Sequence, residues 1–140
     1  MNCPLCEDAG GLLLWTQGDW RVVRVLDEQF PAYYRVIAQR HLAEFSQLLS
    51  AERHRCMELV CAIERVLVER LQPTKVNLAA LGNMVPHLHW HVIARFEWDS
   101  HFPQPIWGTK QREVAPAALN RLPCSLQELD GAVVAALSAA

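Results

Sequence analysis

The stretch Pro86-His87-Leu88-His89-Trp90-His91-Val92-Ile93-Ala94-Arg95-Phe96 decides how the rest of this chain is read. It holds three of the chain's six histidines, at alternate positions. Leu88, Trp90, Val92, Ala94 and Phe96 alternate with them and are apolar or small. Successive side chains of a β-strand point to opposite faces, so the alternation predicts a strand with His87, His89, His91 and Arg95 on one face. The other face is a continuous apolar row. Neighbouring histidines would then lie ~7 Å apart, twice the rise per residue. A helix would scatter them, because two residues turn the chain by roughly 200°. The β-branched and aromatic content also favours a strand.

Three readings of the imidazole row compete. It is a polar face wetted by solvent, a metal site, or a nucleophilic histidine with flanking histidines that orient it and neutralise an anion. Imidazole titrates near pH 6.5 and serves as base, acid, nucleophile or ligand. Catalytic zinc often takes three histidines, but three alternate strand residues span ~13 Å and cannot all reach one ion at ~2.1 Å unless the strand bends. A phosphate can bridge neighbouring side chains, which suits the third reading.

Lys75 to Leu81 predicts a strand joined to the histidine segment by Gly82-Asn83-Met84-Val85-Pro86. Before it, Cys56, Val60, Ile63, Leu67 and Leu71 recur at three- and four-residue steps and predict a long amphipathic helix. Ser50 is positioned to cap it, with Glu52 in its first turn, and Gln72-Pro73-Thr74 stops it. Ala43 to Leu49 predicts one or two further helical turns. Leu12–Thr16 and Trp20–Leu26, separated by Gly18-Asp19, read as a hairpin, and Tyr33–Gln39 as a third strand. The segment 97–108, with two prolines and three aromatic residues, predicts a loop bordering the site or a partner subunit. Ser125-Leu126-Gln127-Glu128 fits a capping box opening a closing helix, with fraying terminal alanines.

At 140 residues, 51% hydrophobic and 20% charged, the chain suits one soluble domain with a single core. We expect one domain over 1–140, with a core at about 3–108 and a C-terminal extension at 109–140. A net charge of −2 supplies no basic footprint for a nucleic-acid polymer. No apolar run approaches ~18 residues, which excludes a membrane helix, and the N-terminus has no signal-peptide pattern. An odd count of five cysteines argues against a secreted disulfide framework and for a reducing cytoplasmic setting. Cys3 and Cys6 have the spacing of half a zinc knuckle, which needs two further ligands.

The segment His87-Leu88-His89-Trp90-His91-Val92-Ile93 resembles the His-x-His-x-His signature of the histidine-triad (HIT) family of nucleotide-binding hydrolases and transferases. Asn77 in Lys75-Val76-Asn77-Leu78 matches an asparagine on the preceding strand of many members. Ala38-Gln39-Arg40-His41 resembles the family's Pro-Lys-x-His turn, and Cys3-Pro4-Leu5-Cys6 its Cys-x-x-Cys start. Order and spacing agree over roughly residues 3 to 96. Two departures stand out. Tyr33 and Tyr34 occupy the place of a fourth active-site histidine. Asn83 and Met84 replace the Gln-Ser or Gln-Thr whose hydroxyl touches the leaving group.

The resemblance implies an α+β fold: a HIT-like five-stranded antiparallel sheet with one long and one or two short helices, pairing into a homodimer. It implies cleavage at the α-phosphate of a nucleoside phosphoramidate or dinucleoside polyphosphate, through a covalent nucleotidyl-histidine. His89 matches the nucleophile; His87 and His91 match the residues that orient it or stabilise charge. Asn77, Asn83 and Asp27 match nucleotide-binding positions, Asp27 at the ribose. His41 and His87 match the histidines that complete a structural zinc site with Cys3 and Cys6, a role that competes with a catalytic one for His87. The chemistry itself needs no metal, and the expected small-molecule partner is an AMP-like purine nucleotide. Two other classes stay open: a non-catalytic nucleotide-binding or protein-interaction module on the same fold, and a metallohydrolase using the histidines as ligands.

Overall fold

Five short stretches rich in aliphatic, β-branched and aromatic residues form strands, and a computed structural model, which describes residues 2–140, pairs them into one sheet. The strands are β1 (Leu12–Gln17), β2 (Trp20–Arg24), β3 (Tyr33–Ala38), β4 (Lys75–Ala79) and β5 (His89–Arg95). Their order is β1-β2-β3-β5-β4, and every neighbouring pair is antiparallel. The long helix α2 (Ser50–Leu71) crosses between β3 and β4, and α3 (Leu126–Ala139) closes the chain. A single turn of helix, α1 (Pro4–Glu7), precedes the sheet, and a 3₁₀ turn at Phe45–Gln47 leads into α2.

One face of the sheet meets the helices. Val22, Tyr34, Val36, Val76, Val92 and Ala94 pack there against Leu59, Ile63 and Leu67 of α2 and Leu129, Val133 and Leu137 of α3. The apolar row of the histidine segment lies on this side, as its alternation predicts. Residues beyond 108 therefore contribute to the same core. Polar contacts anchor α3 as well: Asp130 accepts from the Tyr34 hydroxyl at 2.8 Å and pairs with Arg24 Nε at 3.0 Å. The opposite face carries the histidines, covered by α1 and the loops after β4 and β5.

Several boundaries differ from the sequence reading, for local reasons. Ser50 is the first residue of α2 and Leu49 its N-cap; Glu52 reaches back to the Leu49 N–H at 2.7 Å. In α3 one half of the predicted box forms, with Ser125 Oγ accepting from the Glu128 N–H, and the helix continues to Ala139 through the alanines expected to fray. The most consequential shift concerns β5, which begins at His89 and leaves His87 outside it. The His87 N–H donates to the Val85 carbonyl at 2.8 Å, a tight turn, and the Leu88 N–H donates to the Leu42 carbonyl at 2.7 Å. The backbone before His89 is thus committed to a turn and a loop. Gly10 lets α1 pass close to the sheet: its φ is +92°, and a Cβ there would stand 2.7 Å from Leu5 and 3.1 Å from Ile37.

Candidate active site

His89 and His91 share one face of β5, their ring centroids 4.8 Å apart and nearly perpendicular. Across the sheet Tyr33 and Arg35 of β3 share that face, with Arg35 directly opposite His91. Beside them opens a cleft of about 440 Å³, walled by Arg35, His89, His91, the loop Leu81–Val85 and Trp107. Trp107 packs edge-on against His91 at 4.9 Å and is 50% exposed, so the loop after β5 borders the site as its position in sequence predicts.

Hydrogen bonding assigns the protons. His89 Nδ1 lies 2.6 Å from the His87 carbonyl, which can only accept, so Nδ1 carries the hydrogen and Nε2 keeps its lone pair. His91 Nδ1 lies 2.8 Å from the Tyr33 hydroxyl, and Arg35 stands 3.5 Å behind that hydroxyl as a donor. Burial pushes the Tyr33 phenol up, with Arg35 opposing, so it keeps its proton. With Arg35 donating to the hydroxyl, we assign the phenol as donor to His91 Nδ1, which puts the hydrogen of His91 on Nε2. The two neighbouring imidazoles are held in opposite tautomers, one an acceptor and the other a donor. Both are neutral near pH 7. Burial lowers His89, reinforced by Arg35 and His87, against the bond to the His87 carbonyl. Burial, His89 and Arg35 push His91 down to about 3.

His87 is fully buried and its ring belongs elsewhere. Its Nε2 donates to the Ala38 carbonyl at 2.6 Å, and its Nδ1 faces Cys3 Sγ at 3.4 Å, Cys6 Sγ at 3.5 Å and His41 Nδ1 at 3.2 Å. Cys6 Sγ and His41 Nδ1 are 3.3 Å apart. Ligand atoms around a tetrahedral zinc ion, at ordinary Zn–S and Zn–N lengths, stand about 3.3–3.8 Å from one another. The four donor atoms all lie within 4.8 Å of each other, so the set fits one ion, and the bond to Ala38 fixes the tautomer that such a ligand needs. The structure therefore brings His87 together with Cys3, Cys6 and His41, and only its carbonyl serves the triad. The expected contribution of the His87 ring to phosphate chemistry yields to this placement, because neither ring nitrogen faces the cleft.

The remaining sequence-predicted residues divide. Asn83 lines the cleft. Asn77 instead accepts from Arg95 at 2.9 Å and lines an adjoining concavity with Lys75, Pro105 and Trp107. Asp27 is not brought to the cleft wall: its Oδ1 accepts from the Gln29 and Phe30 N–H groups and closes the β2–β3 loop. Arg95 is buried against Asp99, with Nε to Oδ2 at 2.8 Å and Nη2 to Oδ1 at 3.0 Å, and holds the Gln104 carbonyl at 2.7 Å. Burial raises the Asp99 carboxyl, but the Arg95 bond and the Phe96 and His101 N–H groups outweigh it and hold the group below the usual range. This knot shapes the loop that carries Trp107. The sequence reading singled out neither Arg35 nor Trp107, and noted Tyr33 only as standing in the place of a fourth active-site histidine. The alternation Tyr33-x-Arg35 was visible, but not which strand it would face.

A five-stranded antiparallel sheet that backs one helical layer and offers paired imidazoles to an open cleft defines the α+β architecture of histidine-triad proteins. The HIT domain description matches residues 12–98, most of the chain, and the chain belongs to the HIT family. Among solved structures, a histidine triad protein from Marinobacter aquaeolei VT8 is 26% identical, with 94% of this chain and 91% of that one covered and a TM-score of 0.72. A histidine triad protein from Bradyrhizobium japonicum is also 26% identical, with 94% and 90% covered and a TM-score of 0.70. A Zn-bound histidine triad family protein from Mycobacterium smegmatis shares the fold at 16% identity, with 98% and 94% covered and a TM-score of 0.61. No curated protein sequence matches the chain. Among the described residues, no helix is long and apolar enough to cross a membrane.

Proposed function

We propose that this protein is a nucleotide hydrolase or nucleotidyl transferase that acts at an α-phosphate through His89. The observation that carries this reading is the Nδ1 bond from His89 to the His87 carbonyl, which leaves a neutral Nε2 lone pair at the cleft. Nε2 attacks phosphorus in line and forms a P–N bond, while the bond to the leaving group breaks and its electron pair departs with that group. The hydrogen stays on Nδ1, which donates it to the His87 carbonyl, so the imidazolium that develops is stabilised where it forms. His91, as an Nε2–H donor, steadies charge on a phosphate oxygen. Water or another acceptor then attacks phosphorus and releases its proton to solvent, the P–N bond breaks, and its electron pair returns to Nε2 of His89. Asn83 supplies a polar group from the cleft wall in place of a hydroxyl. AMP-like purine nucleotides are the proposed ligands, with the protein working as a homodimer in the cytoplasm.

Incubation with adenosine phosphoramidate or diadenosine tetraphosphate tests this. AMP should be released, and acid-free quenching should trap a mass increment of one nucleotidyl group on the peptide that contains His89. A second reading, a binding module without turnover, is favoured by the missing hydroxyl at Asn83 and Met84; the latter is 93% exposed. Bound AMP with no release and no adduct would select it.

Cys3, Cys6, His41 and His87 are proposed to hold a structural zinc ion, which would tie α1 to the sheet and take no part in the chemistry. Elemental analysis should find one zinc per chain, and chelation should lower the melting temperature. At temperatures where the chelated protein stays folded, turnover should persist. Loss of turnover without unfolding would instead favour a metallohydrolase.

A further inference from the structure

Three arginines stand on the histidine face of the sheet, and two of them are spent. Arg95 is paired with Asp99. Arg21 donates to the Leu5, Asp8 and Ala9 carbonyls and to Gln39 Oε1. Arg35 is different. Its Nη1 reaches the Gly10 carbonyl at 3.1 Å and its Nη2 the Tyr33 hydroxyl at a long 3.5 Å. Its Nε is buried with no partner. Among the described residues, no carboxylate lies within ion-pair distance of it. It is also the one charged side chain in the wall of the cleft.

A partly buried guanidinium with unused donors and no counter-charge is costly unless a ligand supplies the anion. Its planar fork suits phosphate oxygens. The strand register decides where that anion sits. Arg35 is the cross-strand neighbour of His91, and such neighbours lie about 5 Å apart. His89 and His91 provide the lone pair and the donor for one phosphate. Arg35 is placed to take the next.

We propose that Arg35 is a substrate-binding residue that reads a second anionic group beside the phosphate held at His89 and His91, so that the cleft selects nucleoside polyphosphates over monophosphate derivatives with an uncharged leaving group. The proposal rests on the nucleotide reading above and narrows it, from phosphoramidates or polyphosphates to the latter. No residue of the sequence motif carries this preference; it comes from β3.

Calorimetric titration with AMP, α,β-methylene ADP, orthophosphate and pyrophosphate tests it in the full-length protein, with none of the four being turned over. The wild type should bind the two-phosphate member of each pair at least about tenfold more tightly, the range of a charge-assisted contact. Arg35→Met should erase that ratio while leaving AMP within about threefold, and Arg35→Lys should keep part of it as a point charge. Thermal melts establish that both variants fold. A ratio unchanged in Arg35→Met, or an equal loss for AMP and methylene ADP, overturns the proposal and leaves the nucleotide reading standing. A wild type that binds the diphosphates through Arg35 but never releases AMP from a substrate supports this proposal and removes the catalytic one. A wild type that binds none of the four overturns both.

Discussion

Replacing His89 with alanine should lower turnover of a nucleoside phosphoramidate or dinucleoside polyphosphate by at least about a thousandfold, roughly 4 kcal/mol of transition-state stabilisation. The alanine lacks the attacking nitrogen, so no covalent adduct should form. Nucleotide affinity should change little, since Arg35, His91, Asn83 and Trp107 still line the cleft. The substitution removes one hydrogen bond, to the His87 carbonyl, and the fold should survive it. Rapid-quench kinetics and mass spectrometry read the result. Turnover in the variant within tenfold of wild type would dismiss His89 as nucleophile, and an equally large loss from His91→Ala with the adduct still on His89 would leave the assignment intact.

Asp99→Ala should be the most damaging change outside the reacting groups. The Asp99 carboxylate accepts from Arg95 Nε and Nη2 and from the N–H groups of Phe96, His101 and Phe102. Both members of the ion pair are almost fully buried. Removing one strands a guanidinium in the sheet, which costs about 3–5 kcal/mol, and frees the loop that positions Trp107. Urea unfolding measures the loss. The double replacement Arg95→Met with Asp99→Leu should recover much of it, because neither charge is then buried alone. A single variant within about 1 kcal/mol of wild type would show that water or Asn77 already satisfies Arg95.

The segments with a clear period were legible in advance. Val22, Val36, Val92 and Ala94 alternate, and all four lie buried on the helix side of the sheet. The 3.6-residue spacing from Cys56 to Leu71 marked a face that is buried. Pairing between distant strands left no such trace. Tyr33 meets His91 58 positions later, and Tyr34 meets Asp130 96 positions later. Nothing within either segment announces the other, so the meeting of the Tyr33 hydroxyl with His91 Nδ1 left no mark in the sequence. His87 carried two expectations, a place in the histidine row and a place with Cys3, Cys6 and His41. Its alternation with His89 and His91 was real in the sequence, but the turn at Val85–His87 takes it out of the strand. Its neighbours are then decided by Cys3, Cys6 and His41, more than 45 positions away.

The peptide group of His87 couples two parts of the molecule that would otherwise be independent. Its imidazole is one corner of the thiol cluster, while the oxygen on the same residue steers the reactive ring two positions on. An N-terminal turn that does not line the cleft is thereby joined, through one residue, to a ring that does.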